Sequence, residues 1–106
     1  MIEISVFKRN NDTKRITSKG HAYYADKGKD IVCAAVSVLL INTVNSIELY
    51  TDDIMEVKED DGMLDIRFPN SLSHDAGLLV SALILGLKEI AKEYGSDFIT
   101  LNFQEV

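Results

Sequence analysis

Hydrophobic and polar residues alternate where the chain opens: Ile2, Ile4 and Val6 are separated by Glu3 and Ser5. A period of two marks a strand with one buried face. Asn10-Asn11-Asp12 interrupts the pattern. Such side chains bond nearby backbone and tolerate left-handed geometry, so a turn is expected there. A second strand over about 14–22 would return as a hairpin and carry His21 at its far end. The segment 22–30, AYYADKGKD, is polar, contains Gly28 and reads as a loop.

From Asp30 the period changes. Val32, Ala35, Val36, Leu39, Leu40, Val44 and Ile47 recur at helical spacing, which predicts a helix ending near 46–49. Asp30 is suited to cap it, its carboxylate accepting from the amide of the third helical residue, Cys33. Strands over 55–59 and 63–68 follow, joined by Asp60-Asp61-Gly62, and an Asp-Gly pair between alternating segments signals a hairpin. Pro69 stops the second of these strands. Ser73 is placed to cap a helix over 75–94, with Asp75 near its positive end and Gly95 just past its last turn. Leu78, Leu79, Leu83, Leu85, Leu87 and Ile90 make this helix apolar on nearly every side. That suits packing on a sheet on one side and a partner subunit on the other. Residues 98–103 alternate as a last strand. The order ββαββαβ predicts an α+β fold, a two-layer sandwich with a mainly antiparallel sheet and two helices on one face.

Composition narrows the class. A chain of 106 residues is expected to form a single domain, 1–106, around one core. The longest apolar runs, 31–41 and 76–87, fall short of the roughly 20 residues of a bilayer span, so no membrane partner is expected. The opening MIEISVFKRN lacks the basic-then-apolar pattern of an export signal. One cysteine cannot form an internal disulfide, and a reducing, cytoplasmic location is expected. The net charge of −6 removes the basic footprint that supplies most affinity for phosphates. The charge fits a basic partner better than nucleic acid, although solubility alone is the simpler account of most of it.

Candidate chemistry gathers in 20–37, GHAYYADKGKDIVCAAVS, which holds the one cysteine and His21. A thiol attacks as its thiolate, and an ordinary cysteine, with a pKa of about 8.5, is mostly protonated at neutral pH. A first-turn position would set Cys33 beside unpaired helix amides and the positive end of the dipole. His21 could take the thiol proton if the loop folds back. Asp30 either caps the helix, where its charge opposes a thiolate, or orients His21. Ser37 falls one turn after Cys33 on the same face, where local hydrogen bonding is the simplest role. Tyr23 and Tyr24 are candidate substrate contacts or simply packed aromatics. On residue chemistry alone, a lone cysteine in an apolar helix is usually an inert small hydrophobe. By itself the pair leaves the inert reading ahead of the catalytic one.

The other sites read as structural. His74, in SLSHDAG, suits a solvated or capping role. One cysteine and two histidines lack metal-ligand spacing, and the acidic run 52–65 lacks the pattern of a calcium loop. Gly20 and Gly28 do not form a phosphate-binding loop, and no cofactor is expected.

Taken jointly, Gly20-His21-Ala22, a variable loop, Gly28-x-Asp30-Ile31-Val32-Cys33-Ala34 and Ser37 resemble the motif of the bacterial ribosomal-processing cysteine proteases called Prp. Val44-Asn45 with Ile47 is similar to the same family, as is the ββαββαβ order along the whole chain. The resemblance implies a cytosolic, homodimeric cysteine endopeptidase. Its substrate would be a basic large-subunit ribosomal protein precursor, from which it removes an N-terminal extension. The resemblance further implies Cys33 as nucleophile and His21 as base, with Asp30 at an acidic orienting or capping position. Gly20, Ala22, Gly28 and Ser37 would stand around the substrate. The alternative is a ribosome-associated binding or assembly module that keeps the fold without using the thiol.

Overall fold

The computed structural model describes residues 1–20 and 31–106. Its elements are β1 (Ile2–Arg9), β2 (Asp12–Lys19), α1 (Ile31–Tyr50), β3 (Glu56–Asp60), β4 (Met63–Arg67), α2 (His74–Tyr94) and β5 (Ile99–Glu105). The order is ββαββαβ, as the periodicity predicts. The largest boundary differences are in β2, which starts and ends earlier than the expected 14–22, and in β5, which runs past Phe103. The expected Asp30 cap, the loop and the strand end at Ala22 lie outside the described residues.

Turn chemistry explains the hairpins. Asn10 and Asn11 both have positive φ, 52° and 66°, the pair of left-handed residues that a two-residue turn between twisted strands needs. Gly62 supplies a φ of 68° in the β3–β4 turn. The sheet order is β3-β4-β2-β1-β5. Three of its pairings are antiparallel, and β1–β5 is parallel. A helix between two strands returns the chain to the end it left, so the next strand runs parallel to the last. α1 does this between β2 and β3, and α2 between β4 and β5.

One face of the sheet is apolar. Ile2, Ile4 and Val6 of β1, Ile16 of β2, and Leu64 and Ile66 of β4 form one core with Val32, Val36, Leu40 and Ile47 of α1. Ala76, Val80, Leu83, Ile84 and Leu87 of α2 complete it. Both helices therefore cover the same face, giving two layers. Each fully buried large aliphatic side chain contributes about 1.5–3 kcal/mol relative to exposure. Thr43 sits in the buried stripe of α1 because its hydroxyl donates to the Leu39 carbonyl one turn back at 2.7 Å, satisfying the polar group within the helix. Gly86 lets the helices approach, since a Cβ there would fall 2.8 Å from Leu39 Cδ1.

At 20 residues, with a mean hydropathy of 1.7, α1 is longer than the run 31–41 suggests and reaches the length and composition of a membrane span. Its buried stripe packs on the sheet instead.

α2 begins where expected for a Ser73 cap. The Ser73 hydroxyl oxygen accepts from the Ala76 amide at 3.1 Å. Asp53 holds the cap in turn, accepting from the Ser73 amide at 2.8 Å and from its hydroxyl at 2.5 Å. These bonds pull the Asp53 carboxyl below the usual carboxylate range.

The other sheet face carries a buried acid. Asp65 accepts a two-pronged pair of bonds from Arg15, both at 2.9 Å, and weaker ones from Arg67 at 3.3 and 3.4 Å. Hydrogen bonding from Arg15 holds its carboxyl below the usual range; burial opposes this, and Arg67 reinforces it. A depressed folded-state pKa stabilises the fold above the unfolded value of about 3.9 and loses that contribution as pH falls through the folded value. Asp65→Asn is therefore expected to cost about 1–3 kcal/mol at neutral pH. Its denaturation midpoint should converge on the wild type's as pH drops below about 4. A constant gap between the two proteins down to pH ~2 would contradict this role for the pair.

Candidate active site

Topology brings five segment ends together. Glu3 pairs with Lys19, Lys19 with Met63, and Met63 with Asp60. The start of β1, the end of β2 and the β3–β4 turn thus share one end of the sheet, and the first turn of α1 lies over it. Between them is a cleft of about 490 Å³. Its lining includes Ile2, Ser18, Gly20, Cys33, Ser37, Leu40 and Ile41, with the hairpin residues from Glu59 to Leu64.

Cys33 is the third residue of α1 and half-buried, so its thiol opens into the cleft beside a helix start. The first amides of a helix have no carbonyl one turn back and are available to other acceptors. Ser37, one turn along, is exposed on the same wall.

Gly20 closes β2 with a φ of 90°, and its amide donates to the Gly62 carbonyl at 2.8 Å. A Cβ at this position would collide with the Met1 carbonyl oxygen. Glycine is required here twice, by conformation and by the close approach of two backbones. Gly20→Ala is expected to destabilise the protein by about 1–3 kcal/mol, a Tm fall of roughly 5–20 °C. An unchanged Tm would show that the strand end yields freely.

Of the residues singled out in the sequence, Cys33, Gly20 and Ser37 meet in this cleft. His21, Ala22, Gly28 and Asp30 lie outside the described residues, as do Tyr23 and Tyr24. His74 is elsewhere: it is exposed, 3.5 Å from Asp75, beside a separate hollow that includes Asp12 and Leu72. Among the described residues no cluster of histidine, cysteine and carboxylate side chains could hold a metal ion. The sequence marks Asp60-Asp61-Gly62 only as a hairpin turn, whereas in the structure this hairpin borders the cleft. The Asp-Gly signal locates a turn but carries no information about what the turn faces.

The family model described as Cysteine protease Prp matches residues 1–99. The ribosomal processing cysteine protease Prp of Staphylococcus aureus is 32% identical over 99 residues, covering 89% of this chain and 92% of that protein. The Bacillus subtilis protein of the same name is 32% identical over 81 residues, 71% of this chain and 72% of the relative. The crystal structure of the S. aureus protease with a covalently linked product peptide superposes with a TM-score of 0.92 at 29% identity, covering 98% of this chain and 100% of that one. SMU.848 from Streptococcus mutans superposes with a TM-score of 0.87 at 30% identity, over 100% and 99% of the two chains. With the fold shared along its length and the family pattern spanning nearly all of it, the chain belongs to the Prp family of ribosomal-processing cysteine proteases.

Proposed function

We propose that this cysteine peptidase removes the N-terminal extension of a large-subunit ribosomal protein, with Cys33 as nucleophile and His21 as its base. The observation that carries the reading is the placement of Cys33, a thiol in the first turn of a helix, opening into a cleft of about 490 Å³. The S. aureus relative has been captured with a substrate peptide and with a covalently linked product peptide. That supports a peptide as the occupant here.

The chemistry runs in two halves. His21 takes the thiol proton and the Cys33 sulfur attacks the scissile carbonyl carbon. The carbonyl oxygen gathers negative charge, and amides at the start of α1 are suited to donate to it. His21 then passes its proton to the departing amine, leaving a thioester on Cys33. Water, activated by the same imidazole, hydrolyses it and restores the thiol. Gly20 anchors the backbone next to His21, and Gly28, Ala22 and Ser37 border the bound chain. Asp30 caps α1 or orients His21.

The protein acts in the cytoplasm as a homodimer in this reading, without nucleic acid as a direct partner. Support for pairing comes from the outward faces of the helices, where Val38 is 66% exposed, Leu78 63% and Leu85 61%. Incubating the protein with the extended ribosomal precursor of its own organism should yield one shorter product by intact mass. A precursor whose mass stays unchanged, under conditions where the enzyme is folded, would refute the proposal.

A further inference from the structure

The Cys33 cleft has two unlike walls. Ile41, 41% exposed, forms an apolar one with the buried Ile2, Leu40 and Leu64, and the β3–β4 hairpin contributes Glu59 and Asp61. Glu59 stands opposite Leu64 in the strand register, so its side chain leaves the sheet on the same side as Leu64, toward the cleft. The Asp60 carboxylate is used locally, accepting from the Asp61 amide at 2.8 Å. Glu59 and Asp61 have no ion pair among the described residues. No lysine or arginine is among the described residues that line the cleft. The neighbouring cation Lys58 pairs across the register with Asp65, on the opposite face.

Carboxylates beside a nucleophilic thiol work against the reaction. They oppose the negative charge that the sulfur must take, and then the charge that builds on the carbonyl oxygen. The opposition is relieved when a cation enters with the substrate. An apolar wall facing an acidic one suits a long basic side chain, whose methylenes cover apolar surface while its head reaches the carboxylates.

We infer that the cleft selects peptides with a lysine or arginine close to the scissile bond, its stem along Ile41 and its charged head at Glu59 and Asp61. The inference rests on the reading of this cleft as the peptide site. The incoming cation both anchors the chain and offsets the acidic wall while Cys33 reacts.

Binding to the Cys33→Ala protein tests this without turnover. Two fluorescent peptides span the precursor's cleavage segment, one native and one with every lysine and arginine replaced by glutamine. The glutamine peptide is expected to bind about 5- to 10-fold more weakly by anisotropy. Adding Glu59→Gln with Asp61→Asn should bring the native peptide to that weaker value and leave the glutamine peptide unchanged, as should about 0.5 M salt. Equal affinity for the two peptides, or a parallel loss of both on the altered wall, would overturn the inference. If the altered hairpin fails to fold, the peptide pair on the unaltered wall still decides. Failure of the protease reading is seen separately, as wild-type enzyme that leaves the precursor uncut.

Discussion

Replacing Cys33 by alanine or serine is expected to lower cleavage of the extended ribosomal precursor by at least about 10⁴-fold while the fold persists. Both halves of that expectation come from position. Cys33 packs against the core but remains half-buried, whereas the buried residues of its helix stripe are Val32, Val36, Leu40, Thr43 and Ile47. Losing one sulfur atom there should cost no more than about 1 kcal/mol. The serine variant keeps shape and hydrogen bonding yet replaces a good nucleophile by one that ionises far less readily, so it should be nearly as inactive as alanine. Intact mass of the precursor gives the activity, and thermal unfolding gives the stability. Iodoacetamide should add one carbamidomethyl group to the wild type and abolish cleavage in step with labelling. Undiminished processing by Cys33→Ala would end the proposed mechanism.

His21→Ala should reduce cleavage by about 10²- to 10⁴-fold at neutral pH. The size follows from two proton transfers, one taken from the thiol and one given to the amine. Above pH ~8.5, where a cysteine ionises unaided, the first of these is no longer needed. Part of the lost rate should therefore return as pH rises, and the residual deficit measures the missing acid. His74→Ala is the matched control: its ring is exposed beside a separate hollow, and cleavage should be unchanged. A variant at His21 with a wild-type pH profile, or a His74 variant that loses activity, would reassign the base.

Much of the architecture was legible because periodicity is a local signal. Alternation at Ile2, Ile4 and Val6 marked the face that is buried, and the turn residues Asn10-Asn11 and Asp61-Gly62 marked both hairpins. Ser73 was readable as a cap because one side chain and one amide three residues on make the interaction. What escaped depends on partners far along the chain. Asp65 reads as the polar member of an alternating strand; its burial comes from Arg15, fifty positions away. The parallel pairing of β5 with β1 leaves no trace in either strand's alternation. The cleft joins ends of β1, β2, β4 and α1 that only topology assembles. Cys33 could be singled out, but the hairpin wall facing it could not.

The parallel β1–β5 pair has a consequence for how the molecule comes into being. Ile2 aligns with Ile99 and Lys8 with Glu105, while the Ile2 amide donates to the Phe98 carbonyl at 2.8 Å. β1 thus acquires its second neighbour only when the last strand is available. Contacts of such sequence separation carry a loop-closure cost and tend to slow folding. During synthesis the first hairpin can form early, but the strand that bears Ile2, a cleft residue, keeps an open edge until β5 has left the ribosome. A nascent chain cannot complete the sheet beside its own cleft until residues 99–105 have been made, so the cleft's outer strand is among the later parts to gain its full set of neighbours.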